Sequence, residues 1–147
     1  MSEAATEGPY VRFRASGELY GLPMGEVQEV VAPGPASPIP RAPPCAVGVV
    51  NHHGRLLTLV DLGSLTQDDP PTDPPLMVIL SDPQRKLALG ADAVEGIGPL
   101  EVSEGVAKLA GRAVTVLSRS GVFEMVDLAF GSPHVLDSSQ ETGGERS

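Results

Sequence analysis

A chain of 147 residues with a formal net charge of −9 is the size of one domain, or of two very small ones sharing a core. That charge argues against nucleic-acid binding, which needs clustered Lys and Arg, and against adsorption to or insertion into an anionic membrane. Cys45 is the only cysteine and tryptophan is absent, so an internal disulfide and a thiolate metal cluster are ruled out.

Val, Leu and Ile must therefore fill the interior, and with Gly and Pro as punctuation they favour strands over helices. Ser2 to Gly8 is polar and acidic, unlike a signal peptide. The longest apolar runs, such as Leu76 to Leu80, are too short to span a bilayer. The reading is a soluble, cytoplasmic protein.

In chain order, residues 1–8 are expected to be a flexible tail. Tyr10 to Ala15 alternates, with Val11 and Phe13 on one face and Arg12 and Arg14 on the other. Ser16-Gly17-Glu18 is a turn, and Leu19 to Leu22 returns as a second strand. After Pro23, the spacing of Met24, Val27 and Val30 suits either a short helical turn or a kinked strand. Six prolines between Pro33 and Pro44 predict an extended, sheet-free connector. Ala46 to Asn51 and Leu56 to Leu62 are strands joined through His52-His53-Gly54-Arg55, the second apolar enough to be covered on both faces. Thr66 to Pro75 reads as a linker. Strands follow at Leu76 to Ser81, Lys86 to Leu89 and Asp92 to Ile97, then a short helix over Glu101 to Leu109. A hairpin of Ala113 to Leu117 and Val122 to Leu128 closes a domain spanning residues 9–131. Residues 132–147 are expected to be a disordered polar tail.

The first half, about residues 9–66, resembles the second, about 76–131. Val11 and Val78, Phe13 and Leu80, Tyr20 and Leu87, Leu22 and Leu89, Val27 and Val94, and Val30 and Ile97 are each 67 residues apart. Val60-Asp61-Leu62 recurs as Val126-Asp127-Leu128 at a spacing of 66. One offset held across strand, turn, strand and kink points to an internal duplication. Halves this small sit near the lower limit for a self-sufficient core. Two small barrels sharing an apolar seam solve that problem.

Tyr20-Gly21-Leu22-Pro23-Met24-Gly25-Glu26-Val27-Gln28-Glu29-Val30 resembles the segment after the first hairpin of CheW proteins. The likeness continues through Ile39-Pro40, Pro43, Gly48-Val49-Val50-Asn51 and Gly54 to Val60-Asp61-Leu62, and more loosely through Gly90 to Ile97. The resemblance implies a mainly β fold of two intertwined, SH3-like, five-stranded barrels with few short helices. It implies a non-catalytic adaptor that binds the cytoplasmic tip of methyl-accepting chemoreceptors, in arrays, and couples them to the regulatory domain of a CheA-type histidine kinase. No cofactor is expected. On that model Met24, Val27, Val30, Val94 and Ile97 line a receptor groove between the barrels, and Asn51, His52, His53 and Gly54 form a second partner contact.

Three departures stand out. The family's Asn-Leu-Arg-Gly is Asn51-His52-His53-Gly54 here, replacing a permanent charge with a side chain that titrates near neutrality. The family's proline in the next strand is Thr58. A polar tail stands where many relatives have a terminal helix. These changes suggest a divergent member, of the Frz type found in gliding bacteria, and an alternative role as a receptor-only adaptor that has lost kinase coupling.

Plainer readings compete at each position. Spacing alone makes Met24, Val27 and Val30 core residues, and Val94 and Ile97 likewise. His52 and His53 are adjacent in a strand, point to opposite faces and are expected to hold no metal. Asp61 and Asp127 suit capping of the next turn better than acid–base work, which needs a shared cleft. Asp92 and Glu95 suit solvated or interface charges. Cys45 is a small packing residue, because no His/Asn constellation marks it as a nucleophile. A hydrolase or metal enzyme on an unrelated β-barrel is the remaining class, with no phosphate loop or nucleophile elbow to support it.

Overall fold

The computed structural model describes residues 3–5, 8–67, 73–103 and 106–131. The strands are β1 (Glu3–Ala5), β2 (Tyr10–Ala15), β3 (Glu18–Pro23), β4 (Val27–Val31), β5 (Ala46–His52), β6 (Arg55–Val60), β7 (Leu76–Leu80), β8 (Leu87–Ala91), β9 (Ala93–Gly98), β10 (Glu101–Ser103), β11 (Val106–Leu109), β12 (Arg112–Ala113) and β13 (Thr115–Val116). Among the described residues there are also two α-helices, α1 (Leu62–Gln67) and α2 (Arg119–Phe130). They build a five-stranded sheet of order β4-β7-β8-β6-β5 and two four-stranded sheets, β13-β3-β2-β9 and β1-β10-β11-β12.

Local chemistry explains the elements. In β2, Val11, Phe13 and Ala15 are buried while Arg14 is exposed, the period of two that one-sided burial demands. Ser16 and Gly17 both take positive φ, 53° and 81°, the turn whose twist matches flanking antiparallel strands. Pro23 ends β3, and the alternatives left open after it both occur. Met24–Glu26 is a 3-10 turn and Val27–Val31 a strand.

The duplication is visible in the ladders. The β2–β3 hairpin of the first half takes its third strand, β9, from the second, and the β7–β8 hairpin takes β4 from the first. Val11 pairs with Ile97 and Phe13 with Val94, while Val78 pairs with Val30 and Leu80 with Val27. These are the same contacts with the halves exchanged. The register slips at the same place in both, leaving Glu95 and Gln28 as the extra residues.

Three apolar clusters follow. One draws on Val50, Leu57, Leu59, Met77, Ile79 and Ala88, with Val31 and Val47 against it. All five strands of the largest sheet contribute to it. Glu29 of one edge strand reaches His52 of the other at 3.0 Å, so that sheet curls until its edges approach. A second, smaller cluster holds Leu19, Leu100 and Val114, with Tyr10, Ala107 and Leu109. The largest lies between them and includes Val11, Phe13, Tyr20, Leu22, Val78, Leu80, Leu87, Leu89, Val122 and Val126. Phe13 and Tyr20 stack within it, ring centroids 5.7 Å apart.

Several expectations need correction. Glu101–Ser103 and Val106–Leu109 are paired strands rather than a helix, because β10 finds a ladder with β11 and, on its other side, with β1. That pairing also orders Glu3–Ala5 within the stretch expected to be a loose tail. Val122 to Leu128 is not a strand: α2 spans Arg119–Phe130, so a terminal helix is present where its loss was expected. Val122 and Val126 are its buried residues, and their four-residue spacing is helical rather than alternating. The proline-rich connector touches the sheet through one bridge, Ser37 to Val49. Leu56 is exposed, and only Leu57 to Val60 of β6 are fully covered. The polar tail, with His134, and residues 68–72 of the second linker lie outside the described residues.

Candidate partner surface and the Asn51 to Gly54 turn

Paired residues in an antiparallel ladder send their side chains to the same face. Val94 and Ile97 are opposite Phe13 and Val11, both core residues of the central cluster, so they share the face that lines the seam between the halves. Val27 and Val30, opposite Leu80 and Val78, do the same from the other side. Val27, Val30, Val94 and Ile97, four of the five residues expected to line a groove, are thus two equivalent pairs on the edge strands β4 and β9.

Their burial differs. Val27 and Val30 are partly buried and pack against the central cluster. Val94 is 39% and Ile97 58% exposed, and Met24, just ahead of β4, is 46% exposed. The twelve-residue α2 docks at the β4 end, where the Arg119 amide donates to Glu26 Oε1. Its counterpart α1 is described over Leu62–Gln67, and Val94 and Ile97 of β9 stay uncovered. Behind β9, Arg12 lies against Gly96, whose φ of +132° is a conformation that residues with a side chain rarely adopt, and donates to the Pro99 carbonyl at 3.3 Å. Arg14 pairs with Glu95 at 2.6 Å, and Asp92 accepts from the Ser16 amide at 3.1 Å.

The second predicted site is the β5–β6 turn. His53 and Gly54 take φ of 53° and 81°, and Asn51 Oδ1 accepts from the Gly54 amide at 3.0 Å, so Asn51 serves the turn itself. His52 Nε2 meets Glu29 Oε1 at 3.0 Å. The two imidazoles are not on opposite faces. His53 has left the strand for a left-handed conformation, and the ring centroids come within 4.1 Å at 57°. Alternation holds only while the backbone stays extended.

Asp61 and Asp127, singled out as matching strand ends, play unlike parts. Asp61 Oδ1 accepts from the Ser64 amide at 3.1 Å and so caps α1. Its true counterpart is Ser118, whose Oγ accepts from the Gly121 amide at 3.0 Å and caps α2. Asp127 lies inside α2 and accepts from both terminal nitrogens of Arg85, at 2.7 and 3.1 Å, while that guanidinium sits 4.6 Å from the Phe123 ring centroid. Sequence reasoning missed this anchor, as it did the Glu29–His52 contact; no periodicity or spacing signals either. The Arg85 and Gln84 amides donate to Asp82 and hold its carboxyl below the ordinary aspartate range. Burial pushes the Cys45 thiol up, away from the thiolate that a nucleophile needs.

A family model described as the CheW-like domain matches residues 9–104. The chain belongs to the CheW-like family. No curated protein matched the sequence. Among solved structures, the fold is similar to the scaffolding protein TtCheW from Thermoanaerobacter tengcongensis, with 23% identity and a TM-score of 0.64 over 76% of this chain and 84% of that one. In this CheW-like chain the family match runs from β2 through β10, and so includes β4, β9 and the Asn51 to Gly54 turn. No helix among the described residues is long and apolar enough to cross a membrane.

Proposed function

We propose that the protein is a non-catalytic chemosensory adaptor that binds the helical tip of a chemoreceptor's cytoplasmic domain. It works in the cytoplasm, at receptor clusters. The observation that carries this reading is the uncovered pair Val94 and Ile97, which stand on an edge strand beside the central seam. Met24 supplies a further exposed apolar side chain. A receptor helix presents Leu, Val and Ile at helical spacing, and burying such a stripe against β-branched side chains needs no directional contact. Val27 and Val30 support the floor of that surface rather than its rim. The two enclosed clusters on either side are read as the interiors of two barrels.

Coupling to a CheA-type kinase is the finer part of the proposal. A receptor-only role is the second reading, favoured by the Asn51 to Gly54 turn: Asn51 and His52 are engaged within the chain, and the family's arginine is His53. The test is a pair of binding measurements, one with a receptor signalling-tip fragment and one with a CheA regulatory domain. Ile97→Asp is expected to weaken receptor binding at least about tenfold, since a carboxylate cannot be buried unpaired, while circular dichroism stays unchanged. Receptor binding that survives Ile97→Asp and Val94→Asp together would sink the surface. Kinase binding separates coupling from the receptor-only role.

A further inference from the structure

We propose that Glu29, His52 and His53 form a binding site for a divalent transition metal, with Zn²⁺ the best-suited ion. The three residues offer one carboxylate oxygen and two imidazole nitrogens, all within 4.8 Å of one another. In a tetrahedral zinc site, with ligand bonds of 2.0–2.2 Å, the ligand atoms lie about 3.3 Å apart. Glu29 Oε1 and His52 Nε2 are at 3.0 Å already, so an ion would take the place of the proton between them, which leaves to solvent, and the His53 ring would swing in by no more than about 1.5 Å. His53 is exposed at the head of a turn, free to make that movement. Among the described residues its ring nitrogens have no hydrogen-bond partner, and the contact it makes is with the neighbouring ring. A lone pair is therefore available without breaking any bond.

The donor set selects the ion. Two imidazoles with one carboxylate suit Zn²⁺, Ni²⁺ or Cu²⁺ rather than Mg²⁺ or Ca²⁺, which prefer oxygen. Three protein ligands leave a fourth position for water or a group from outside. His52 also borders a small recess lined by Arg55, Arg85, Lys86 and Asp82, whose net positive charge opposes a dication and lowers the affinity. The mechanical consequence follows from the topology. Glu29 is on β4 and His52 on β5, the two edges of the largest sheet, which no backbone ladder joins. A bound ion would clamp them and raise the melting temperature by mass action.

The test uses the full chain without an affinity tag. Titration calorimetry with ZnCl₂ is expected to give one ion per chain, and Co²⁺ in its place the intense visible bands of a tetrahedral centre. His53→Asn carries the experiment, because Asn-Gly favours this turn geometry and the variant keeps its fold. It should weaken zinc at least about tenfold, the cost of losing even a supporting group at a metal site, and abolish the zinc-induced rise in melting temperature. Glu29→Gln should weaken it similarly, whereas His134→Gln should bind as the parent does. Equal affinity in the parent and His53→Asn, or loss of binding in His134→Gln, would overturn the site.

Discussion

Thr58 illustrates how one side chain carries two opposed constraints. It is 0% exposed, and its Oγ1 has no hydrogen-bond partner among the described residues, so the hydroxyl is desolvated without return. Its backbone amide, by contrast, donates to the Lys86 carbonyl at 3.0 Å. The proline that relatives carry here would remove that donor. Thr58→Val keeps the amide and shape while deleting the hydroxyl, and is expected to stabilise the protein by about 1 kcal/mol. A urea midpoint that falls instead would mean the hydroxyl is satisfied by a buried water. Cys45 is buried as well but is satisfied by packing, since a thiol behaves as a small apolar group.

At the scale of elements, the two helices start by the same device in different chemistry. Asp61 and Ser118 each accept from the amide three residues on, the N-cap geometry. Removing the cap by Ser118→Ala is expected to cost about 1 kcal/mol, whereas Ser118→Asp should restore it, with thermal denaturation as the measurement. Identical losses in both variants would show that the hydroxyl is not acting as a cap. Further along, the Arg85 fork on Asp127 ties α2 to the loop before β8. The helix therefore rests on a sheet built from both halves.

The whole molecule is organised by exchange. Because β4 completes the hairpin of the second half and β9 that of the first, neither half contains its own sheet. A unit of about 60 residues already buries too little surface to be secure, and here each would also lose an edge strand. Separately produced fragments 1–66 and 73–147 are expected to be unfolded alone and to regain β-sheet circular dichroism on mixing. Cooperative melting of either fragment by itself would contradict the exchange. In the intact chain the same exchange sets the edge strands beside the central seam, where the proposed receptor surface lies.

Much of this was legible in the sequence. The alternation in Val11 and Phe13, the Ser16-Gly17 turn, the 67-residue offset and the CheW-like segment from Tyr20 to Val30 all survive as structure, because each depends on near neighbours or on a repeated local pattern. Val94 and Ile97 were legible as a pair, but their exposure was not. Other features were decided only in three dimensions. Val122 to Leu128 is apolar enough to read as a strand, and its helical form follows from burying Val122 and Val126 on one face. Glu101 to Leu109 is held as strands by hydrogen bonds to partners distant in sequence. The repeat of Val60-Asp61-Leu62 at Val126-Asp127-Leu128 was a coincidence of letters, since the equivalent cap is Ser118. His52 and His53 came together because one backbone φ changed sign at a turn. Local preference and periodicity belong to the chain by itself; which surfaces meet, and which stay open, is set by packing between residues that the sequence keeps apart.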